Sequence, residues 1–155
     1  MGRFVFATLP GWILGALMLV GIALNFANVV SRHVFGHAIF WTEEILVYLT
    51  IWGVFLGMAA IAYQGEHLNM DLFSAVIPSR WRKLHRGLVA AAMFAVCAFV
   101  AVQSWQIVVL FASAGQVSIA ASVPKAIPHA ALLVGFVLTA LAVLVRLRAY
   151  LSGKF

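Results

Sequence analysis

The sequence predicts an all-α integral membrane protein with four transmembrane helices, and three observations carry that reading. Only fourteen of the 155 residues are Asp, Glu, Lys or Arg, and none of them falls in 4–31, 45–65, 87–124 or 126–145. Each of these stretches reaches or approaches the 20 or so apolar residues that a helix needs to cross a hydrocarbon core about 30 Å thick. Hydrophobic residues make up 65% of the chain and charged residues 9%, against about 25% charged in soluble domains. The whole chain, 1–155, is therefore read as one membrane domain. Its spans are expected at about 9–30, 43–64, 79–111 and 127–145, with short interfacial helices in the connections.

The first span is expected from Leu9 to Val30. Pro10 sits in the first turn, where a missing N–H leaves nothing unpaired. Arg32 closes the span and Gly36 ends the helix. The apolar run is longer than the 7–15 residues of a signal-peptide core, so it is read as a retained helix. The second span runs from Glu43 to Gln64. Thr42 is expected as its N-cap, with Glu43 and Glu44 complementing the positive end of the helix dipole. Trp41 stands where an interfacial aromatic belongs. The third span starts at Ser79 and reaches Phe111. That is about 50 Å of helix, longer than the hydrocarbon core, so Arg80 to Arg86 must project from it. Pro124 and Pro128 mark the entry to the fourth span, Ile127 to Val145. Between the second and third spans, Leu72, Phe73, Val76 and Ile77 predict a short helix lying in the interface, with Asp71 capping it and Pro78 ending it.

The distribution of charge gives the orientation. Arg3, Arg80, Arg82, Lys83, Arg86, Arg146, Arg148 and Lys154 fall on one side, and only Arg32 and Lys125 on the other. By the positive-inside rule the eight-cation side is cytoplasmic, and four spans put both termini there. The net charge of +6 is thus read as membrane orientation rather than nucleic-acid binding. Partners are expected in the bilayer and at its surfaces.

An interior without ionised side chains limits the chemistry. Ion and substrate pathways through membranes usually rest on intramembrane charge, and a stand-alone four-helix exporter would need a mid-span carboxylate. No cofactor or metal site is expected. His33 and His37 are four residues apart, but Gly36 ends the helix between them. The other histidines, His67, His85 and His129, also lie at span ends rather than mid-span. Cys97, the single cysteine, reads as a small buried apolar residue.

The densest polar site joins spans 1 and 2, where Arg32, His33 and His37 are followed by Trp41, Thr42, Glu43 and Glu44. Asn28, within span 1, is with Arg32, Trp41, Glu43 and Glu44 a candidate for structural or inter-subunit contacts. Arg32, Glu43 and Glu44 are expected to form a polar joint at the membrane edge. Exposed, such a joint contributes about 0–1 kcal/mol. Buried, it would cost about 3–5 kcal/mol to break one partner. Within the spans, Asn25, Gln103, Ser104 and Gln106 are candidate helix-packing residues. So are Gly11-x-x-x-Gly15, Gly53-x-x-x-Gly57 and the stripe Ala91, Ala95, Ala98, because small and polar residues in apolar helices mark helix contacts.

In its order of features the chain resembles the small membrane subunit of tripartite ATP-independent periplasmic (TRAP) transporters, the Q-type or DctQ-like subunit. Asn28 to Gly36, then Trp41-Thr42-Glu43-Glu44, Gly57, Gly65 to Leu72 with His67 and Asp71, and Pro78 carry the resemblance. Lys125 departs from it, standing where the family often has an aromatic. The resemblance implies a sodium-coupled importer of an organic acid anion in the bacterial inner membrane. A periplasmic substrate-binding protein captures the substrate, a large membrane subunit carries the substrate and sodium sites, and the small subunit braces that subunit's scaffold for an elevator motion. The four-span small subunit of tripartite tricarboxylate transporters shares the gross topology. A respiratory membrane anchor is the enzyme-class alternative, against which the histidine positions argue.

One expectation tests the orientation. In a Cys97→Ala background, a cysteine at Ser118 should react with an impermeant thiol reagent from outside, and one at Ser74 should not. The opposite pattern would reverse the topology.

Overall fold

A computed structural model describes residues 9–64 and 79–147. They form four helices: α1 (Leu9–Val34), α2 (Thr42–Gln64), α3 (Ser79–Ser113) and α4 (Ala126–Val145). All four are long and apolar enough to cross a membrane. The bounds agree with the expected spans to within a few residues. The expected interfacial helix at 72–77, and His67 and Asp71 with it, lie outside the described residues. The two described connections, 35–41 and 114–125, contain turns and an isolated β-bridge instead of helices.

Among the described residues, extensive packing runs α1 to α2, α2 to α4, and α4 to α3. The helices therefore stand in the order α1–α2–α4–α3, as an open layer and not a closed four-helix bundle. α2 and α4 each pack broadly against two others, and α4 is the helix that joins the α1–α2 pair to α3. Its sequence explains this. Ala131, Gly135, Thr139 and Ala142 recur at four- and three-residue steps, lie on one stripe and are all buried. Lipid tails are as apolar as leucine, so membrane helices associate through close packing, and small residues let backbones approach. At Gly135 the approach is at its limit. A Cβ there would lie 2.6 Å from Phe55 Cβ and 2.9 Å from the Phe55 carbonyl oxygen. The Phe55 and Phe136 rings pack beside this crossing, with centroids 5.7 Å apart. Thr139 donates its hydroxyl to the Gly135 carbonyl at 2.8 Å, which satisfies a fully buried polar group within its own helix.

The other expected packing faces divide. Gly53 and Gly57 do face a neighbour: Leu14 of α1 sits over both, 3.6 Å from where each Cβ would be. Gly11 and Gly15 meet none of the described residues within 4 Å of theirs. On α3 the buried stripe is Ala90, Cys97 and Ser104, seven residues apart. The expected stripe misses it: Ala91 and Ala95 are exposed and Ala98 is half-buried. A run of alanines fits any face, and the position of α4 selects the one that Ala90 occupies. Ala90 packs with Val143, Met93 and Phe94, and Met93 also reaches the neighbouring cluster of Ala62, Tyr63 and Ala142.

Gly135→Leu should therefore separate α2 from α4. Overpacking of this kind costs about 1–3 kcal/mol, and here the contact is with backbone, which cannot swing away. The expected result is a lower melting temperature of the purified chain in detergent. Gly11→Leu, with open space at that position, should melt as wild type.

Candidate functional site

The polar groups of the described residues concentrate at the end of the layer where the 35–41 and 114–125 connections meet the helices. The first connection is built from the end of α1. Gly36 adopts φ +70°, a left-handed conformation that glycine takes without strain, and the chain reverses there. Ser31 donates its hydroxyl to the His37 carbonyl at 2.7 Å. Asn28 is buried, and its Oδ1 accepts the Ile39 N–H at 2.8 Å. This single side chain holds the return strand of the connection against α1.

The turn then enters α2 in a way that changes the expected cap. The Thr42 N–H bonds to the Ile39 carbonyl at 3.1 Å, and the Trp41 carbonyl accepts the Ile45 N–H at 3.2 Å. Trp41 thus occupies the position before the helix, and Thr42 is its first residue. Thr42 is 1% exposed and its hydroxyl has no hydrogen-bond partner among the described residues. It caps nothing, because the turn at 39–42 carries its side chain into protein contact instead of back over the helix end.

The expected joint of Arg32, Glu43 and Glu44 also divides. Arg32 Nη2 lies 3.7 Å from Glu43 Oε1, with the two side chains 57% and 76% exposed. This is a surface pair, worth about 0–1 kcal/mol. Glu44 turns the other way. Its Oε2 accepts the N–H groups of Ala120 at 3.1 Å and Ala121 at 2.9 Å, and its Oε1 accepts the Tyr48 hydroxyl at 2.6 Å. One carboxylate in the first turn of α2 therefore holds the connection between α3 and α4, 76 residues away. Hydrogen bonds to an ionised acceptor are about twice as strong as neutral ones.

That connection has the shape the carboxylate needs. Val117 and Pro124 form an antiparallel bridge. Ser118 N–H donates to the Val123 carbonyl at 2.8 Å, and Lys125 N–H to the Gln116 carbonyl at 3.0 Å. The Ser118 hydroxyl accepts the Val123 N–H at 3.1 Å. Ser122 and Gly115 take positive φ, which turns the tip and aims two consecutive N–H groups at Glu44. Lys125, the departure noted in the sequence, contributes its backbone: besides closing the bridge, its carbonyl pairs with His129 Nδ1 at 2.8 Å. The His129 ring lies tilted against the Phe111 ring, with centroids 4.6 Å apart. Ser118 is only 3% exposed, so it is a poor labelling position. Ile119, 98% exposed at the tip, is the residue that reports this connection's accessibility.

The remaining candidates are placed as follows. Trp41 is exposed at the start of α2. Asn25 is exposed on α1, and Gln103 and Gln106 on α3, and their amides find no hydrogen-bond partner among the described residues. At the opposite end of the layer Arg146, the residue after α4, donates from Nε to the Tyr63 carbonyl at 3.3 Å and lies 4.8 Å over the Tyr63 ring. It supplies a donor to the last turn of α2, where carbonyls lack helical partners. The sequence reading used Arg146 only for orientation. The Glu44–Tyr48 pair is legible from its i, i+4 spacing, whereas the backbone donors of Ala120 and Ala121 leave no mark in side-chain chemistry.

Among the described residues the geometry is that of a mechanical clasp. Residues 22–152 match the family model of the DctQ component of tripartite ATP-independent periplasmic transporters. The chain belongs to that family. It is a transporter component, not an enzyme, and the match separates it from the tricarboxylate and respiratory alternatives. Among its relatives, the C4-dicarboxylate TRAP transporter small permease protein DctQ of Vibrio cholerae is 30% identical over 63% of this chain and 40% of its own length. The sialic acid TRAP transporter permease protein SiaT of Haemophilus influenzae is 29% identical over 59% of this chain and 15% of its own. A putative TRAP transporter small permease protein of Haemophilus influenzae is 29% identical over 68% and 65%. The chain thus spans less than two thirds of each of these relatives.

Glu44→Ala leaves two N–H groups of the connection without their acceptor, whereas Arg32→Ala removes a solvated pair. Thermal melts should show the larger loss for Glu44→Ala and a change under about 1 kcal/mol for Arg32→Ala. The two should add in the double mutant, since they share no partner. A non-additive pair would restore the single joint that the sequence suggested.

Proposed function

We propose that this chain is the small membrane subunit of a sodium-coupled TRAP transporter that imports an organic acid anion, and that it braces the large membrane subunit without handling substrate. The observation that carries the reading is the placement of charge. Glu43 and Glu44 are in the first turn of α2, Arg32 is in the last turn of α1 and Arg146 follows the end of α4. The middle of every span holds only apolar, small or amide side chains. Such a layer offers no intramembrane charge to bind a cation or a carboxylate. It does offer a stiff surface, clasped at one end by Glu44 and at the other by Arg146.

The relatives support this division of labour. Two proteins with about the same identity to this chain are named for different substrates, a C4-dicarboxylate and sialic acid. Both are organic acid anions, and a subunit that accompanies either is not the one that distinguishes them. In SiaT the matching stretch is a small part of a much longer permease chain, in keeping with a brace that stays attached to a large subunit. A periplasmic substrate-binding protein completes the assembly. The chain sits in the bacterial inner membrane with both termini and the 66–86 connection cytoplasmic, following the eight-to-two split of Lys and Arg. The Glu44 clasp then faces the periplasm.

Reconstitution tests the reading. Liposomes containing this chain alone should show no sodium-driven uptake. Liposomes containing the large subunit, its binding protein and this chain should transport, and should lose most uptake when this chain is omitted. Uptake by the isolated chain would overturn the accessory role.

A further inference from the structure

Between α1 and α2 runs a groove of about 630 Å³ lined by Leu14, Gly15, Met18, Asn25, Thr50 and Gly53 among others. From Leu14 to Asn25 it extends about 16 Å along α1, three helical turns. Its walls are apolar apart from two polar side chains. The Thr50 hydroxyl is already satisfied by the Leu46 carbonyl at 2.8 Å. The Asn25 amide has no partner among the described residues and stands nine residues before the end of α1, about 14 Å inward from it. That depth lies within the hydrocarbon core, beyond the reach of a short amide side chain to headgroups or water.

Resting on the reading of the chain as a brace, we propose that this groove is the seat of one transmembrane helix of the large subunit, and that a polar side chain of that helix pairs with Asn25. The polar complementarity selects the occupant. A lipid chain filling the groove would leave two N–H donors and a carbonyl acceptor unpaired in hydrocarbon, where unsatisfied polar groups are costly. A helix can bring a hydroxyl, amide or carboxyl to the same depth and pair with them. The groove also has the local shape that helix pairing uses. Gly15 presents open space to anything entering, with none of the described residues within 4 Å of a Cβ. Glycine at such positions lets a second backbone come close.

Gly15→Leu and Asn25→Leu test the proposal in the co-expressed complex, read as the amount of large subunit that co-purifies with a tagged small subunit. Gly15→Leu fills the groove without touching this chain's own packing, and should abolish or strongly reduce recovery. Asn25→Leu should reduce recovery about three- to tenfold, the scale of an interhelical hydrogen bond in a membrane. Asn25→Gln should recover part of it. Melting of each isolated variant as wild type would confirm that the fold is intact. In addition, a cysteine at Met18 should cross-link to the large subunit in a Cys97→Ala background. Wild-type recovery with both leucine variants would overturn the proposal and leave the groove to lipid. Wild-type recovery with these two, but loss with Gln103→Leu and Gln106→Leu, would also overturn it and move the contact to α3. If no large subunit co-purifies even with the wild-type chain, the brace reading fails, a result distinct from either of these.

Discussion

Close approach of α4 to its neighbours is the constraint on which the rest of this layer depends. In a membrane no hydrophobic force draws one apolar helix to another, so the contact must come from surfaces that fit. Ala131, Gly135, Thr139 and Ala142 make α4 thin along one stripe, and Phe55 fills the space that a side chain at 135 would take. α1 reaches the layer through α2, and α3 reaches it through α4. If the crossing of α2 and α4 opened, the chain would fall into an α1–α2 hairpin on one side and an α3–α4 pair on the other.

Hydrogen bonds at the two ends fix what packing alone leaves free. Close-packed apolar helices can slide or rotate by small amounts at little cost, and polar pairs with defined geometry remove that freedom. At one end Glu44 draws the connection between α3 and α4 onto the first turn of α2. At the other, Arg146 takes the Tyr63 carbonyl and covers the Tyr63 ring. Both clasps join α2 to the α3–α4 pair, across the same boundary that Gly135 brings together. The ionised groups of the clasps lie at the ends of the spans, so they act without placing charge in hydrocarbon.

The spans and their ends were legible in the sequence because they follow from hydropathy and charge, which are local properties. Gly53 and Gly57 were also legible as a packing face. The buried face of α3 was not. Ala90, Ala91, Ala95 and Ala98 are chemically equivalent, and which of them turns inward depends on where α4 stands, a fact that no window of sequence contains. Gly135 had a signal in the small-residue stripe of α4. Its partner Phe55 had none. The acidic pair was expected to share one joint with Arg32, and its two members instead part company. Adjacent residues on a helix point about 100° apart, so Glu43 meets Arg32 while Glu44 meets a loop 76 residues on. The pairing of Glu44 with backbone N–H groups is invisible to any reading that looks for complementary side chains.

The order of helices in the layer has a consequence for biogenesis. The chain is made from its N-terminus in the order α1, α2, α3, α4, but it stands as α1–α2–α4–α3. α3 therefore reaches the bilayer before the helix that links it to the others, and it waits among lipids without a broad protein contact. α4 must slot between two helices that are already in place. Only then are the donors of Ala120 and Ala121 brought to Glu44, which until that moment has Tyr48 as its partner on its own helix. The four described helices come together only with the twenty-residue α4, and a ribosome that stops short of α4 leaves behind a hairpin and a solitary helix.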